Sequence, residues 1–310
     1  MIHTASNRPF AHIREFVPSI AQPTVCDDGK VPGAVQKIAQ IAGLASFKLP
    51  RNPMPQNRYL PNDLSTAAPL RLVALPYAGG GAAPYFRWRT SLDPRIEVVP
   101  IQLPGREGRL SEPPLTDLGM LANEIADALT PVLDRPYAIV GHSMGATIAF
   151  ELAREVRRRS ERMPELLIVA ASAAPHQQQA GQSMSSLSDE SFVAEMNRRF
   201  DGISPAVLEH KELLQLLLPA LRADMTLLET FRYQDEPPLD TEIMALGGTE
   251  DRAVSRTQLA DWRRHTSANF SQRMFPGGHF FLFPASERNP AEVPAAVRTI
   301  SERLARLLEG

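Results

Sequence analysis

Residues 137–156, YAIVGHSMGATIAFELAREV, run from a short apolar segment (Tyr137–Val140) through Gly141-His142-Ser143-Met144-Gly145 into a stretch of helix formers. A strand followed by a turn and a helix is the context that G-x-S-x-G requires. The serine sits on a sharp turn in strained backbone geometry. A side chain two residues before or after it would collide with neighbouring backbone, so both positions are glycine. The pentapeptide alone is weak as a signal, and the flanking strand and helix give it weight. Ser143 is the candidate nucleophile.

Outward from this point the chain alternates strands and helices. Leu70–Leu75 (LRLVAL), Ile96–Ile101 (IEVVPI), Leu166–Ala171 (LLIVAA), Ile243–Leu246 and Phe270–Phe275 read as further strands. Leu115 to Leu133 has helical spacing at Leu118, Leu121, Ile125, Leu129 and Val132, with Thr116 as the expected N-cap. A last amphipathic helix is expected from about Val293 to Leu308. Buried strands alternating with helices predict an α/β fold, a mostly parallel central sheet flanked by helices. About 70 residues separate the fourth strand from Ile243, too many for a plain connection. Asp189–Phe200 and the leucine-rich Ala206–Phe231 within it read as helices, with Pro219 expected to kink or divide the second. An inserted helical lid at about 176–236 is the expectation, its leucines lining a substrate chamber or packing the helix pair itself.

A serine nucleophile needs a base, and the base needs an orienting carboxylate. His279 lies in Pro276-Gly277-Gly278-His279-Phe280-Phe281, a glycine-flanked loop after the last strand. The other histidines are less suited. His3 and His12 lie near the start of the chain, His142 adjoins the serine and should point elsewhere, and His176 precedes the insertion. His210 and His265 fall on helical stretches and read as surface residues. For the acid, Gly247-Gly248-Thr249-Glu250-Asp251 follows the fifth strand. Asp251 is the choice and Glu250 the main competitor, because adjacent side chains in an extended loop point different ways. An oxyanion hole needs two backbone N–H donors. Met144, after the serine, and Ala78, in Pro76-Tyr77-Ala78-Gly79-Gly80-Gly81-Ala82, are the candidates. The glycine run could instead cradle a phosphate, but neither G-x-x-x-x-G-K-[ST] nor G-x-G-x-x-G with a downstream acid is present.

Composition narrows the field. With 310 residues, 43% hydrophobic and 22% charged, the chain has material for one large α/β domain. A formal net charge of −2 argues against nucleic acid as a partner. One cysteine, Cys26, permits no intrachain disulfide or multi-Cys zinc site, and the seven histidines lack HExxH spacing. No run approaches a membrane span, and residues 1–25 lack the apolar core of a signal peptide, so a cytoplasmic location is expected. The sequence leaves the oligomeric state open, with a monomer favoured. Residues 1–68 contain eight prolines and no strand-like run. They are expected to form a mobile N-terminal extension ahead of a 69–310 domain, or sequence upstream of a start at Met54. A short helical pattern at Ala34–Phe47 could dock a partner.

Taken in order, LPYAGGGA (75–82), VVPIQLPGREGRL (98–110), GHSMGA (141–146), ALGGTEDRAVS (245–255) and FPGGHFFL (275–282) resemble the type II thioesterases of polyketide and nonribosomal peptide synthesis, members of the α/β-hydrolase superfamily. The resemblance covers about 240 of the 310 residues. It implies the α/β-hydrolase fold and hydrolysis of acyl groups from the phosphopantetheine thiol of acyl- or peptidyl-carrier proteins, with no metal or bound cofactor. It implies that Ser143 is acylated, His279 moves the proton, Asp251 orients it, and Ala78 and Met144 hold the oxyanion. The chain departs from the family in its N-terminal extension. It also reads Ala171-Ser172-Ala173-Ala174-Pro175-His176 where the family tends to have a Ser-Gly-Arg-like segment. Arg87 with Arg89, and the run Arg154 to Arg159, are basic candidates for meeting an acidic carrier, although interleaved acids favour a solvated helix face for the run. A fatty-acyl thioesterase, a small-molecule carboxylesterase and a non-catalytic hydrolase-fold binding protein are the competing readings.

Overall fold

A computed structural model describes residues 57–60, 64–65, 67–177, 183–203, 205–283 and 293–309. His3, His12, Cys26, Met54 and the helical pattern at Ala34–Phe47 lie outside the described residues.

In chain order the elements are β1 (Leu70–Leu75), α1 (Ala83–Phe86), β2 (Ile96–Pro100), α2 (Leu118–Leu129), β3 (Tyr137–His142), α3 (Met144–Arg158) and β4 (Leu166–Ala170). There follow α4 (Asp189–Phe200), α5 (Pro205–Leu208), α6 (Lys211–Thr230), β5 (Glu242–Gly248), α7 (Arg256–Ala260), β6 (Phe270–Phe275) and α8 (Ala295–Leu307). The strands form one sheet in the order β2-β1-β3-β4-β5-β6, every neighbouring pair parallel. Each residue of β1, β3 and β4 is buried, as expected for strands covered on both faces. Alternation along β1 divides the core. Val73 and Leu75 join Ile139, Leu121, Ile125 and Ile148 on the face covered by α2 and α3. Leu70, Leu72 and Ala74 join Val140, Ile168, Val297, Ile300 and Leu304 on the face covered by α8.

Four local expectations need correction. The N-cap of α2 is Asp117, not Thr116: its backbone is extended and its Oδ1 accepts the Met120 N–H at 2.7 Å. Both residues are capping types, and the apolar phase starting at Leu118 selects the later one. Pro219 does not divide its helix. It lies on the exposed side of α6, as does Gln215, whose carbonyl loses its usual donor and can turn to water. The break falls instead at His210, the N-cap of α6. His265 is buried, at 5% exposure, rather than on the surface. Part of the segment expected to be a mobile arm is packed. Tyr59 and Leu60 join the α2–α3 side of the core, and the Tyr59 hydroxyl donates to Glu124 at 2.6 Å.

The insertion between β4 and β5 builds its own apolar cluster from Met184, Phe192, Met196, Ile203, Leu218, Leu221 and Met225. Ala78 packs against that cluster, so the helical layer sits directly on the loop after β1. Among the described residues, no helix is long and apolar enough to cross a membrane.

Candidate active site

The turn between β3 and α3 explains its own sequence. Ser143 has φ 54° and ψ −117°, a conformation that costs energy for any residue with a side chain. A Cβ on Gly141 would lie 2.0 Å from the Gly145 oxygen, and one on Gly145 would lie 2.3 Å from the Leu75 oxygen. The glycines therefore let β3, the turn and the end of β1 approach within backbone contact. Met144 begins α3, where first-turn amides have no intrahelical acceptor.

The loops after β5 and β6 are equally close. A Cβ on Gly248 would meet the Gly278 oxygen at 2.3 Å, and the Thr249 and Glu250 amides donate to the Phe275 and Gly277 carbonyls at 2.8 and 2.9 Å. This lacing brings the two loops together over the serine. His279 Nε2 lies 2.9 Å from Ser143 Oγ, and His279 Nδ1 lies 2.9 Å from Asp251 Oδ2. The other carboxylate oxygen, Oδ1, accepts the Ala253 and Val254 amides at 2.8 and 3.2 Å. The Asp251 side chain is fully buried, whereas Glu250, its competitor, is exposed. The sequence-derived residues Ser143, His279 and Asp251 thus form one hydrogen-bonded chain although 136 positions separate the serine from the histidine.

The insertion closes over this chain. Phe200, at the end of α4, places its ring 5.0 Å from the His279 ring, and Leu221 of α6 lies against Gly79, where a Cβ would meet Leu221 Cδ1 at 2.9 Å. Ala78 precedes that glycine. Sequence reasoning overlooked Arg106, Glu107 and Asp224, which hold the Gly79–Ala83 backbone. One signal was available: Asp224 is the acid in an apolar stripe, three residues after Leu221 and three before Leu227, all buried. The departure at Ala171–His176 directly follows β4, whose last residue, Ala170, accepts the Ser143 amide at 2.8 Å. There the Ser172 carbonyl accepts the Trp262 indole N–H at 2.8 Å. Among the described residues, no group of three or more His, Cys, Asp or Glu side chains is placed to hold a metal ion.

His142 does point away from the serine's open side, into the core, where its ring stacks on Phe280 at 5.5 Å. Burial drives its pKa well below the ordinary value, with the charge of the nearby His279 adding to the effect and a backbone hydrogen bond at His279 opposing it. It stays neutral beside the His279 imidazole.

His265 behaves alike for a different reason. It packs among Phe150, Trp262 and Tyr233 and shares a 2.8 Å hydrogen bond with His176 Nδ1. Burial lowers its pKa to about 4, with His176, Arg154 and Arg264 acting in the same direction and Asp235 opposing them. Its folded pKa lies below the unfolded one, so as pH falls the unfolded chain binds the proton first. Stability is then lost between about pH 6.5 and 4. By about pH 5 the loss from this group reaches about 2 kcal/mol relative to neutral pH. His265→Phe should remove it, so the difference in urea unfolding free energy between neutral pH and about pH 5 should shrink by about 2 kcal/mol. His142 contributes with the same sign in both proteins and cancels in the comparison.

The parallel sheet, the strained serine turn after its third strand and the Ser-Asp-His order along the chain are those of an α/β-hydrolase of the serine type. Residues 70–303 match the Thioesterase domain family, and the chain belongs to it, as a thioester hydrolase. It is 41% identical over 228 residues to the gramicidin S biosynthesis protein GrsT of Aneurinibacillus migulanus, covering 73% of this chain and 89% of that protein. Among solved structures, the RedJ thioesterase from the prodiginine pathway of Streptomyces coelicolor is 37% identical with a TM-score of 0.68, covering 78% of this chain and 90% of that one. BorB, a type II thioesterase from the borrelidin biosynthetic cluster, is 39% identical with a TM-score of 0.67, covering 76% and 92%.

Proposed function

We propose that this thioesterase removes acyl groups from the phosphopantetheine thiol of acyl- or peptidyl-carrier proteins, clearing misprimed or stalled carriers in polyketide or nonribosomal peptide synthesis. The observation that carries the reading is the Ser143–His279–Asp251 hydrogen-bonded chain beneath an apolar helical insertion. The family membership and its biosynthetic relatives supply the substrate class. His279 Nε2 takes the proton of Ser143 Oγ as the oxygen attacks the thioester carbonyl, and the Asp251 carboxylate keeps Nδ1 protonated and faces the imidazolium that forms. The Ala78 and Met144 amides receive the developing oxyanion, each such donor contributing about 3 kcal/mol. His279 returns the proton to the departing thiol. A water, activated by the same imidazole, then cleaves the acyl-serine and releases the acid. The phosphopantetheine arm is part of the substrate, the partner is the carrier, and the reaction belongs in the cytoplasm where such synthetases act.

The carrier's approach is constrained by charge. Arg157 and Arg158 pair with Glu236, and Arg159 pairs with Glu155 and Asp127. They also lie at the far end of α3, about 20 Å from Ser143 at 1.5 Å per residue. The run at 154–159 is therefore a paired helix face, and Arg87 and Arg89 are exposed on the segment that follows the β1 loop.

Intact-mass spectrometry of acetyl- and longer acyl-loaded carrier protein, followed over time with wild type and Ser143→Ala, tests the proposal. Loss of the acyl mass with wild type alone is the expected result. Stable acyl carriers beside rapid turnover of a simple aryl ester would move the function to a general esterase.

A further inference from the structure

A glycine run has no side chains with which to fix itself, so Gly79–Gly81 must be held from outside. Two distant segments do this. The Gly79 N–H donates to Asp224 Oδ2 at 2.7 Å, and the Gly80 carbonyl accepts from Arg106 Nη1 at 3.2 Å. Arg106 and Asp224 also pair with each other through two bonds, Nη1 to Oδ2 at 2.6 Å and Nη2 to Oδ1 at 2.7 Å. Arg106 Nε donates to the Pro104 carbonyl at 3.2 Å, and the following residue, Glu107, accepts the Ala82 and Ala83 amides at 3.0 and 3.2 Å. The two charged residues are 5% and 2% exposed. Arg106 belongs to the loop after β2, and Asp224 belongs to α6 of the insertion.

A buried ion pair is a poor device for stability alone, because desolvation offsets most of its attraction. Its chemistry suits another task. A carboxylate only accepts and a guanidinium only donates, so the pair grips an N–H and a carbonyl on successive glycines and fixes the direction of the peptide units there. Ala78 lies immediately before them. We propose that Arg106 and Asp224 are positioning residues for the oxyanion hole: they set the Ala78 amide for the reacting carbonyl, and only while α6 is seated. This rests on reading Ala78 as an oxyanion donor. The helical insertion thereby has a part in the chemistry as well as in covering the chamber. Lifting α6 withdraws Asp224 and frees the loop, so turnover is tied to closure over the substrate.

The test uses the whole chain with an acyl thioester as substrate and an alkylboronic acid as a probe, since its tetrahedral serine adduct occupies the oxyanion hole. Asp224→Asn keeps an acceptor but loses the charge, and Arg106→Lys keeps the charge but loses the fork. Each should lower kcat about 10- to 100-fold, leave KM within about threefold and weaken boronate binding in step with kcat/KM. The double variant Arg106→Leu with Asp224→Leu separates positioning from stability, because apolar replacement of a buried pair often preserves folding. It should melt at or above the temperature of the single variants yet show the same kcat loss. Folded single variants with kcat within about twofold of wild type, or a double variant whose kcat recovers along with its stability, would overturn the proposal. Ser143→Ala is measured alongside. If it still hydrolyses the substrate, the serine reading has failed. If it is inactive while the Arg106 and Asp224 variants are fully active, only the positioning role has failed.

Discussion

Ser143→Ala should lower kcat on an acyl thioester by about 10⁵- to 10⁶-fold, and His279→Ala by a similar factor. In the proposed mechanism Ser143 and His279, joined by one 2.9 Å hydrogen bond, act as nucleophile and base, so neither serves the reacting carbonyl without the other. The effects should therefore not add. The double variant Ser143→Ala with His279→Ala is expected to be no slower than either single variant, its residual rate coming from substrate binding and the oxyanion donors. Stopped assays with high enzyme concentration, normalised to the folded fraction, measure both points. A His279→Ala enzyme retaining more than about one hundredth of the wild-type kcat would mean that another group deprotonates Ser143. His142, whose ring lies 5.5 Å from that of His279, would be the first to consider, although burial keeps it neutral and turned into the core.

The sheet was legible in the sequence because its strands are buried on both faces and bounded by glycine or proline, so LRLVAL, YAIV and LLIVA stand out without any alternation to detect. The hydrogen-bonded arrangement of Ser143, His279 and Asp251 was legible for a different reason. An exposed nucleophile, an acid and an imidazole each need a loop that backbone can approach closely, and Gly141, Gly145, Gly248, Gly277 and Gly278 mark those loops. What escaped were the properties set by partners far away in the chain. His265 sits on a short helical stretch and reads as exposed until Phe150, more than a hundred residues earlier, closes over its ring. Arg106 and Asp224 are 118 positions apart, and neither local sequence announces the other. Tyr59 lies in a proline-rich stretch and reads as linker, yet Arg109 and Glu124 give it a cation and an acceptor. The cap at Asp117 and the continuity of α6 past Pro219 were missed for a simpler cause: two adjacent residues could each cap, and an exposed proline costs a helix less than a buried one.

Asp251→Asn should lower kcat by about 10⁴-fold, while Glu250→Gln should leave it within about twofold of wild type. The two acids are neighbours, so the contrast tests geometry rather than proximity. Asp251 Oδ1 is committed to the Ala253 and Val254 amides, which fixes the carboxylate plane and presents Oδ2 to His279 Nδ1. An asparagine in this frame would keep its carbonyl oxygen on those two amides and turn its NH₂ toward the imidazole. Nδ1 would then have to accept, Nε2 would carry the proton, and the nitrogen facing Ser143 Oγ could no longer act as a base. The predicted loss is therefore one of tautomer, with folding and the Ser143–His279 separation preserved. Glu250 anchors the loop through its backbone, its amide donating to the Gly277 carbonyl at 2.9 Å, while its side chain is exposed to solvent. Changing that side chain leaves the lacing intact. A second signature distinguishes the mechanism from simple disruption. Activity of Asp251→Asn should recover partly at high pH, as hydroxide can take over proton removal from the serine, whereas an enzyme whose loop had merely come apart would gain nothing. A silent Asp251→Asn beside a crippled Glu250→Gln would transfer the orienting role to Glu250 and require the loop after β5 to turn over in solution.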